Sequence, residues 1–230
     1  MTRSEREIIE SIAMVPEPTE GNAAAQSART KRMSAQDRLN QIVEVAVRLI
    51  HLKGYHGMSL RDIAEEIGIS QTAVIHRVGS KRGLLVEVIK RYYDATDASR
   101  VYLSQFEPGG DLEGGQPRIP AMLRAIVMQN VQQPEMVRLF EVLNTEAMSP
   151  EHPAHEYFTE RPTRIREEYR RYNWKVPSGV DGEFVYMMTM AAMYGLEGRW
   201  LGDPAKVDFV GEWEEYEEYL FPSPLWDGYR

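Results

Sequence analysis

The segment SLRDIAEEIGISQTAVIHRV, residues 59–78, constrains the fold of this chain more than any other part of its sequence. It holds two short stretches of helical periodicity on either side of Gly68, and Ser59 and Ser70 stand where each helix needs a cap. A glycine adopts the left-handed turn between two helices without the penalty of about 1 kcal/mol that a side chain adds. The spacing therefore predicts a helix-turn-helix.

The second helix of this pair has an apolar face and a polar face. Val74 and Val78, four residues apart, are predicted to pack inward against the first helix, which contributes Ile63, Ala64 and Ile67. The outward side chains suit the DNA major groove, where glutamine bonds adenine, arginine bonds guanine or phosphate, and small methyl groups touch thymine. These candidate DNA contacts are Gln71, Thr72, Ala73, His76 and Arg77. The alternative is an ordinary helical hairpin whose polar face meets solvent.

A second set of candidate DNA contacts surrounds the pair. Ser80 is predicted to cap a further helix, and Lys81 and Arg82 stand at its N-terminus, whose free N–H groups already attract an anion. We expect these residues to hold DNA phosphates without reading bases. Arg61, near the start of the first helix, completes the set.

The net charge of −8 argues at first against a nucleic-acid-binding protein, but the charge is unevenly distributed. Residues 29–100 carry thirteen Lys or Arg and eight Asp or Glu, a balance of +5, whereas residues 101–230 have a balance of −10. DNA requires a basic surface only where it lies. The charge is therefore compatible with a DNA partner at the N-terminal part of the chain.

Helical periodicity organises the rest of the chain, and no stretch shows the sustained period-two alternation of a strand. We therefore predict an all-α fold of about nine helices, in which a three-helix DNA-binding domain joins a C-terminal helical bundle. The predicted order is a flexible extension at 1–33, the helix-turn-helix domain at 34–80, a connecting helix at 81–106, a loop at 107–118, a ligand-binding and dimerisation domain at 119–222, and a tail at 223–230. The extension ends in a basic arm, Arg29 to Arg32, which either is solvated or touches the DNA backbone.

With these motifs in this order, the sequence resembles the TetR (tetracycline-repressor-like) family of bacterial transcription factors. The resemblance is specific over about residues 38–90 and continues more weakly into the second domain. It implies a homodimeric repressor that binds a pseudo-palindromic double-stranded DNA operator and is released by a small ligand. The residues that carry it are Ala46, Gly54-Tyr55, Ser59-Leu-Arg-Asp-Ile-Ala64, Gly68-Ile-Ser70, Ser80-Lys81 and Leu84-Leu85, followed by Gly195, Trp200, Leu201, Asp203-Pro204 and Val207-Asp208.

The sequence departs from the usual family pattern at the end of the second helix. Where the family commonly has a tyrosine followed two residues later by a His-Phe pair, this chain has Ile75, Arg77 and Val78. The change removes a phenol hydroxyl that commonly bonds a phosphate, and it replaces a titratable imidazole with a permanent charge. Arg77 is expected either to strengthen the contact with the DNA backbone or to read a guanine.

The helix predicted at 181–201 is apolar almost all round, so it needs cover on several sides. This pattern alone also fits a monomeric core. The resemblance implies instead a dimer interface built from this helix and the helix at 205–220 of two chains. The residues predicted to form it are Ala191, Gly195, Gly198, Phe209, Trp213, Tyr216 and Leu220.

The resemblance also implies a ligand-binding domain, for which we expect a small apolar or amphipathic ligand. Methionine-rich linings adapt to varied apolar ligands, although methionine at helical spacing is more often plain core. The candidate lining residues are Met122, Met128, Phe140, Leu143, Met187, Met190 and Tyr194.

Other chemistries have little support in the sequence. The chain has no cysteine, which excludes thiol catalysis and cysteine-ligated zinc, and it has no Gly-rich phosphate loop, nucleophile elbow or HExxH motif. His152 and His155 are expected to cap a helix or to be solvated, so we predict no metal, no cofactor and no enzymatic activity. The charged N-terminus and the short apolar runs predict a cytoplasmic protein with no membrane span. The alternative function is an all-α small-molecule-binding protein or enzyme whose helix-turn-helix is vestigial.

Overall fold

A computed structural model of the chain describes residues 34–93 and 98–230. Within these ranges the chain forms ten α-helices and a short π-helix, and no strand, which confirms the all-α prediction. Residues 34–93 form one compact unit and residues 98–230 another. The extension predicted at 1–33, with its basic arm from Arg29 to Arg32, lies outside the described residues.

The N-terminal unit contains four α-helices. These are α1 (Ala35–Gly57), α2 (Leu60–Ile67), α3 (Gln71–Val78) and α4 (Lys81–Val88), and a π-helix follows at Ile89–Tyr93. The first helix begins at Ser34, whose side chain accepts from the backbone N–H of Asp37 as predicted. The regular helix breaks at Gly54, where φ is 69° and ψ is 160°, before one last turn.

One apolar core holds these four helices together. Each helix contributes at least one side chain with no exposed surface, and burying such a side chain stabilises the fold by about 1.5–3 kcal/mol. These fully buried side chains are Ile42, Ala46 and Ile50 from α1, Ile63 from α2, Val74 from α3, and Leu84 and Val88 from α4.

The C-terminal unit contains six α-helices. These are α5 (Ala98–Ser104), α6 (Ile119–Gln132), α7 (Pro134–Glu146), α8 (His155–Arg170), α9 (Gly182–Gly202) and α10 (Phe209–Leu220). Pro134 opens α7, which suits the first helical position because no helical partner is required for its nitrogen. No helix in the described residues is long and apolar enough to cross a membrane.

The segment predicted as a single helix at 81–106 contains two α-helices in the described residues, which leave out 94–97. The structure has α4 at its start and α5 at its end, in different compact units, so the unit changes before the 107–118 loop. Apolar pairs recur along the whole segment, but Leu84 is buried in the N-terminal unit whereas Tyr102 belongs to the core of the C-terminal unit. Helical periodicity in the sequence predicts that a side chain is buried, but it does not predict which of the two cores buries that side chain.

Helix α6 is tied by buried polar side chains to two other helices, α5 and α9. The buried side chain of Gln129 accepts the backbone N–H of Ala98, the first residue of α5, at 2.9 Å. Asn130 donates to the carboxylate of Glu197 on α9 at 2.7 Å, and both side chains are buried. Because an unsatisfied buried polar group costs about 1–3 kcal/mol, these pairs fix the register of the helices around α6.

The residues predicted as a tail at 223–230 pack onto the C-terminal unit. Trp226 is buried, and its ring lies 4.9 Å from the ring of Phe221. The guanidinium of Arg230 donates to the backbone carbonyl of Phe221 at 2.7 Å and also to the carboxylate of Glu218. The end of the chain therefore belongs to the folded unit.

Candidate nucleic-acid interface

The turn between α2 and α3 has the geometry that its sequence predicts. Ser59 and Asp62 form a reciprocal capping box at the start of α2, with the Asp62 carboxylate accepting the backbone N–H of Ser59 at 2.8 Å. Gly68 ends α2 in the left-handed conformation, with φ 70° and ψ 35°. The side chain of Ser70 then accepts from the backbone N–H of Ala73 at 3.1 Å and opens α3. The segment is a helix-turn-helix.

Ion pairs hold α2 against α1. The guanidinium of Arg48 pairs with Glu66, and the ammonium of Lys53 lies 3.3 Å from the carboxylate of Asp62. Hydrogen bonds from Ser59, with a smaller contribution from Lys53, hold the pKa of Asp62 below its usual value. The helix that would cross the DNA backbone is therefore fixed at both ends.

Helix α3 presents its predicted polar face to solvent. Val74 has no exposed surface and Val78 is buried, and these two residues anchor the helix from its inner side. All five residues that the sequence predicts to contact DNA on this helix are exposed, and they are Gln71, Thr72, Ala73, His76 and Arg77. Their contact with DNA remains a prediction.

Ile75 is a further exposed residue of this helix, with 41% of its surface accessible. It is not among the DNA contacts that the sequence predicts on this helix. Its position one residue after Val74 is the signal that could have found it, because 100° of helical rotation moves a side chain from the core to the flank.

The residues beside α3 are engaged in contacts of their own. The guanidinium of Arg61 lies 2.7 Å from the carboxylate of Glu65 one turn later on the exposed side of α2. The hydroxyl of Ser80 accepts the backbone N–H of Gly83 at 3.0 Å and so caps α4 as predicted. Arg82 is exposed.

Lys81 lies at the first position of α4, but its side chain is half-buried. Its ammonium donates to the backbone carbonyl of His56, near the end of α1, at 3.2 Å. Burial lowers the pKa of Lys81 from its ordinary value, and the nearby Asp62 carboxylate opposes that shift. The residue therefore links α1 to α4, so a phosphate would compete with the His56 carbonyl for the ammonium.

In the C-terminal unit, α9 has an exposed stripe of apolar and small residues. Phe184 is 65% exposed and Met188 is 40% exposed, although both lie on a helix that also carries nine buried residues. A methyl group added at Gly195 or Gly198 would meet nothing within 4 Å. The α9 stripe, at helical spacing, consists of Phe184, Met188, Ala191, Gly195 and Gly198.

Two of the α10 residues predicted for the dimer interface lie in the core of the chain. Phe209 is 2% exposed and Trp213 is 1% exposed, and the ring of Phe209 stacks on Trp200 at 4.8 Å. Both side chains belong to the core of one chain, because α10 turns them inward, and their contact with a second chain stays a prediction. Tyr216 and Leu220 remain half-buried.

The predicted ligand-contacting residues fall into separate groups. Met122 and Met190 are buried in the main core, where the hydroxyl of Tyr186 contacts the Met122 sulfur at 3.9 Å. Phe140 on α7 stacks on Tyr194 at 6.2 Å, and Leu143 is buried. Met128 and Met187 are half-buried.

A surface cavity of about 360 Å³ lies between α8 and the start of α9. Of the predicted ligand contacts it includes Met187 alone, and the other lining residues are Arg166, Arg170, Asp181, Glu183 and Phe184. Arg170 is paired there with Glu183 through two hydrogen bonds of 2.8 Å.

The two histidines near the start of α8 bond to backbone atoms. The Nδ1 atom of His152 accepts the N–H of Ala154 at 3.1 Å, and the Nδ1 atom of His155 lies 2.8 Å from the carbonyl oxygen of Ala147. Within the described residues, no group of three or more His, Asp or Glu side chains is arranged to hold a metal ion. These two rings therefore hold the loop between α7 and α8.

Comparison with known proteins agrees with this geometry. Residues 42–88 match the family described as bacterial regulatory proteins, tetR family. A curated relative, the uncharacterized HTH-type transcriptional regulator YuxN of Bacillus subtilis (strain 168), is 40% identical over 55 residues. That match covers 24% of this chain and 19% of YuxN, so this chain spans about a fifth of its relative's length.

Solved structures resemble the chain over more of its length. One, from work on the molecular basis for control of antibiotic production by bacterial hormones, is 20% identical with a TM-score of 0.54, and covers 82% of this chain and 97% of its own. Another is NalD of Pseudomonas aeruginosa, the secondary repressor of the MexAB-OprM multidrug efflux pump. It is 20% identical with a TM-score of 0.48, and covers 82% of this chain and 96% of its own. The first of these structures, with a TM-score of 0.54, shares its fold with this chain. Over residues 42–88, this chain is therefore similar to the helix-turn-helix region of bacterial regulatory proteins of the tetR family.

Proposed function

We propose that this protein is a sequence-specific, DNA-binding transcriptional regulator that acts as a homodimer and is released from its operator by a small ligand. The observation that carries the proposal is the exposed face of α3. Two buried valines hold this helix to its domain from one side, and polar side chains cover the other side. A helix held in this way can enter the major groove without losing its packing.

The positive charges around α3 favour contact with the phosphate backbone of DNA. From Gln71 to Gly83 the chain contains Arg77, Lys81 and Arg82 and has no acidic residue. Arg77 and Arg82 are exposed, and Lys81 lies beside them at the start of α4. Because phosphate contacts supply most of the affinity and base contacts the specificity, this distribution supports a helix that reads bases between flanking cations.

The homodimer rests on the α9 stripe. An exposed row of apolar and small residues on a helix whose other side packs into the core is what a self-complementary interface requires. The open space above Gly195 and Gly198 allows the backbone of another helix to approach closely. Arg199, beside the stripe, bonds Glu212 of α10 at 2.7 Å, so that the two helices are held together behind the proposed interface. We therefore assign the partner as a second copy of the chain.

Selection of duplexes from random-sequence DNA by the full-length protein tests this function. The selected sites should contain two inverted half-sites whose centres lie about one helical turn, ~34–36 Å, or somewhat more apart. Sedimentation should show two protein chains on each duplex. Binding that random competitor DNA abolishes at moderate salt would contradict the proposal and would favour a ligand-binding protein with a vestigial helix-turn-helix.

The ligand is proposed to be a small apolar or amphipathic molecule bound in the C-terminal unit near Met122, Phe140, Met190 and Tyr194. A ligand shifts the DNA-binding equilibrium only through different affinities for the competent and incompetent dimers. Native mass spectrometry of gently purified protein should reveal a bound molecule whose addition lowers operator affinity. A bound molecule that leaves operator affinity unchanged would be incidental.

A further inference from the structure

Ile75 is the one large apolar side chain that the helix-turn-helix segment, residues 59–80, exposes to solvent. It follows the fully buried Val74 and lies one turn after Gln71 and Thr72, both exposed. Residues three and four apart on a helix are surface neighbours, so Ile75 forms one continuous surface with these two polar residues.

The hydrophobic core of the domain does not require an apolar side chain at position 75. The inner side of α3 is already occupied by Val74 and Val78, and 41% of the Ile75 surface remains accessible. Exposure of an apolar side chain to water is unfavourable. A partner surface that covers the side chain and excludes water from it therefore stabilises the complex. In the proposed complex, that surface is the DNA major groove.

The major groove offers this side chain a specific apolar partner. Phosphates and most base edges present hydrogen-bonding atoms, which an isoleucine cannot satisfy, whereas thymine projects its C5-methyl group into the groove. A β-branched side chain held at χ1 by its helix is well suited to pack on that methyl group.

We propose that Ile75 is a specificity-determining residue that selects thymine by contact with its C5-methyl group. The inference rests on the proposed function, because it requires α3 to lie in the major groove. Beyond that function, the inference specifies that one position of each half-site must be a thymine.

The test compares thymine with uracil, which differ only by the methyl group. Duplexes that the wild-type protein selects from random sequence are remade with deoxyuridine replacing thymidine, one position of the half-site at a time. At one thymine per half-site the wild-type affinity should fall about fourfold, the value of one methyl group removed from water, and about 15-fold when both half-sites carry the change.

Variants then assign the effect to a residue. Ile75→Ala should bind the thymine and uracil duplexes equally, and Ile75→Val should retain most of the discrimination. Leu52→Ala is the matched control, since Leu52 is an aliphatic side chain of α1 that is 71% exposed and lies outside the candidate DNA contacts, and the thymine preference should survive its removal. Because Ile75 is exposed, thermal melting of the Ile75→Ala variant should match that of the wild type.

Each contrary outcome has a distinct meaning. Specific binding by the wild type with no methyl-dependent thymine overturns the role of Ile75 and leaves the proposed function standing. A thymine preference that persists in Ile75→Ala, or that disappears in Leu52→Ala, also overturns it. Failure of the wild type to select any sequence overturns the proposed function and this inference together.

Discussion

The guanidinium of Arg124 on α6 bonds the carboxylate of Glu217 on α10, which is 5% exposed. The same carboxylate accepts the indole N–H of Trp213 at 2.9 Å. Burial raises the pKa of Glu217, and the bonds from Arg124 and Trp213 oppose that shift. An acidic side chain of α10 is thus a buried anchor between two helices.

Arg124→Ala should destabilise the C-terminal unit by about 3 kcal/mol, because it leaves a buried carboxylate without its cation. Because Arg124 is partly exposed, we expect this loss of stability to lie at the low end of the range for broken buried ion pairs. Urea unfolding of wild type and variant at pH 7 measures the loss. A loss below about 0.5 kcal/mol would show that water replaces the guanidinium.

The loss in Arg124→Ala should depend on pH in a defined direction. Without the cation, burial holds the folded-state pKa of Glu217 above its unfolded value, so the folded state binds the proton more tightly. Stability is then retained below the unfolded-state pKa and is lost as pH rises through the folded-state pKa. The deficit relative to wild type should be small near pH 4 and larger at pH 7–8. In an Arg124→Ala, Glu217→Gln double variant, the deficit should not change over this range.

Gly83→Ala should destabilise the N-terminal unit by about 1–3 kcal/mol, as overpacked positions do. A Cβ at this position would lie 2.3 Å from the backbone carbonyl oxygen of Val78, so α3 and α4 must move apart. Gly202→Ala is the control, because its added methyl group meets nothing within 4 Å. Thermal melting should separate the two variants, and equal melting temperatures would contradict the close approach.

Gln71→Ala and Lys81→Ala should affect DNA binding differently. Gln71 lies on the exposed face of α3, so its loss should cost about 1–3 kcal/mol on the selected site and little on random DNA. Lys81 opens α4, so its loss should weaken both kinds of DNA alike and reduce the salt dependence by about one charge.

Fluorescence anisotropy titrations at several salt concentrations measure both effects. Because Lys81 also bonds the His56 carbonyl, the melting temperature of its variant is needed to exclude unfolding. The reverse pattern, with Lys81→Ala changing base preference and Gln71→Ala weakening all DNA equally, would contradict the placement of α3 in the groove.

Ala191→Glu should convert the proposed dimer to monomers and abolish specific DNA binding at the same time. It places a charge at the centre of the α9 stripe, where a second chain would exclude water from it. Ala205→Glu is the matched control, since Ala205 is also exposed but lies beyond the end of α9. Sedimentation and anisotropy report the two effects, and an Ala191→Glu monomer that binds its site normally would contradict the arrangement.

Much of the N-terminal unit could be predicted because its sequence signals are local. The caps at Ser34, Ser59 and Ser70 act on backbone groups three residues away, and Gly68 adopts its left-handed turn within its own residue. The inward position of Val74 follows from a four-residue spacing. Sequence alone therefore determined where these helices begin and end and which face of α3 is polar.

The tertiary structure decided which groups meet across long stretches of chain. Lys81 meets a carbonyl 25 residues earlier, and Arg124 meets Glu217 across 93 residues. Long-range packing also decided that Phe209 and Trp213 turn inward. It likewise assigned α4 and α5 to different cores. Helical periodicity fixes the angle of a side chain around its own helix, whereas its packing partner depends on how distant helices are placed.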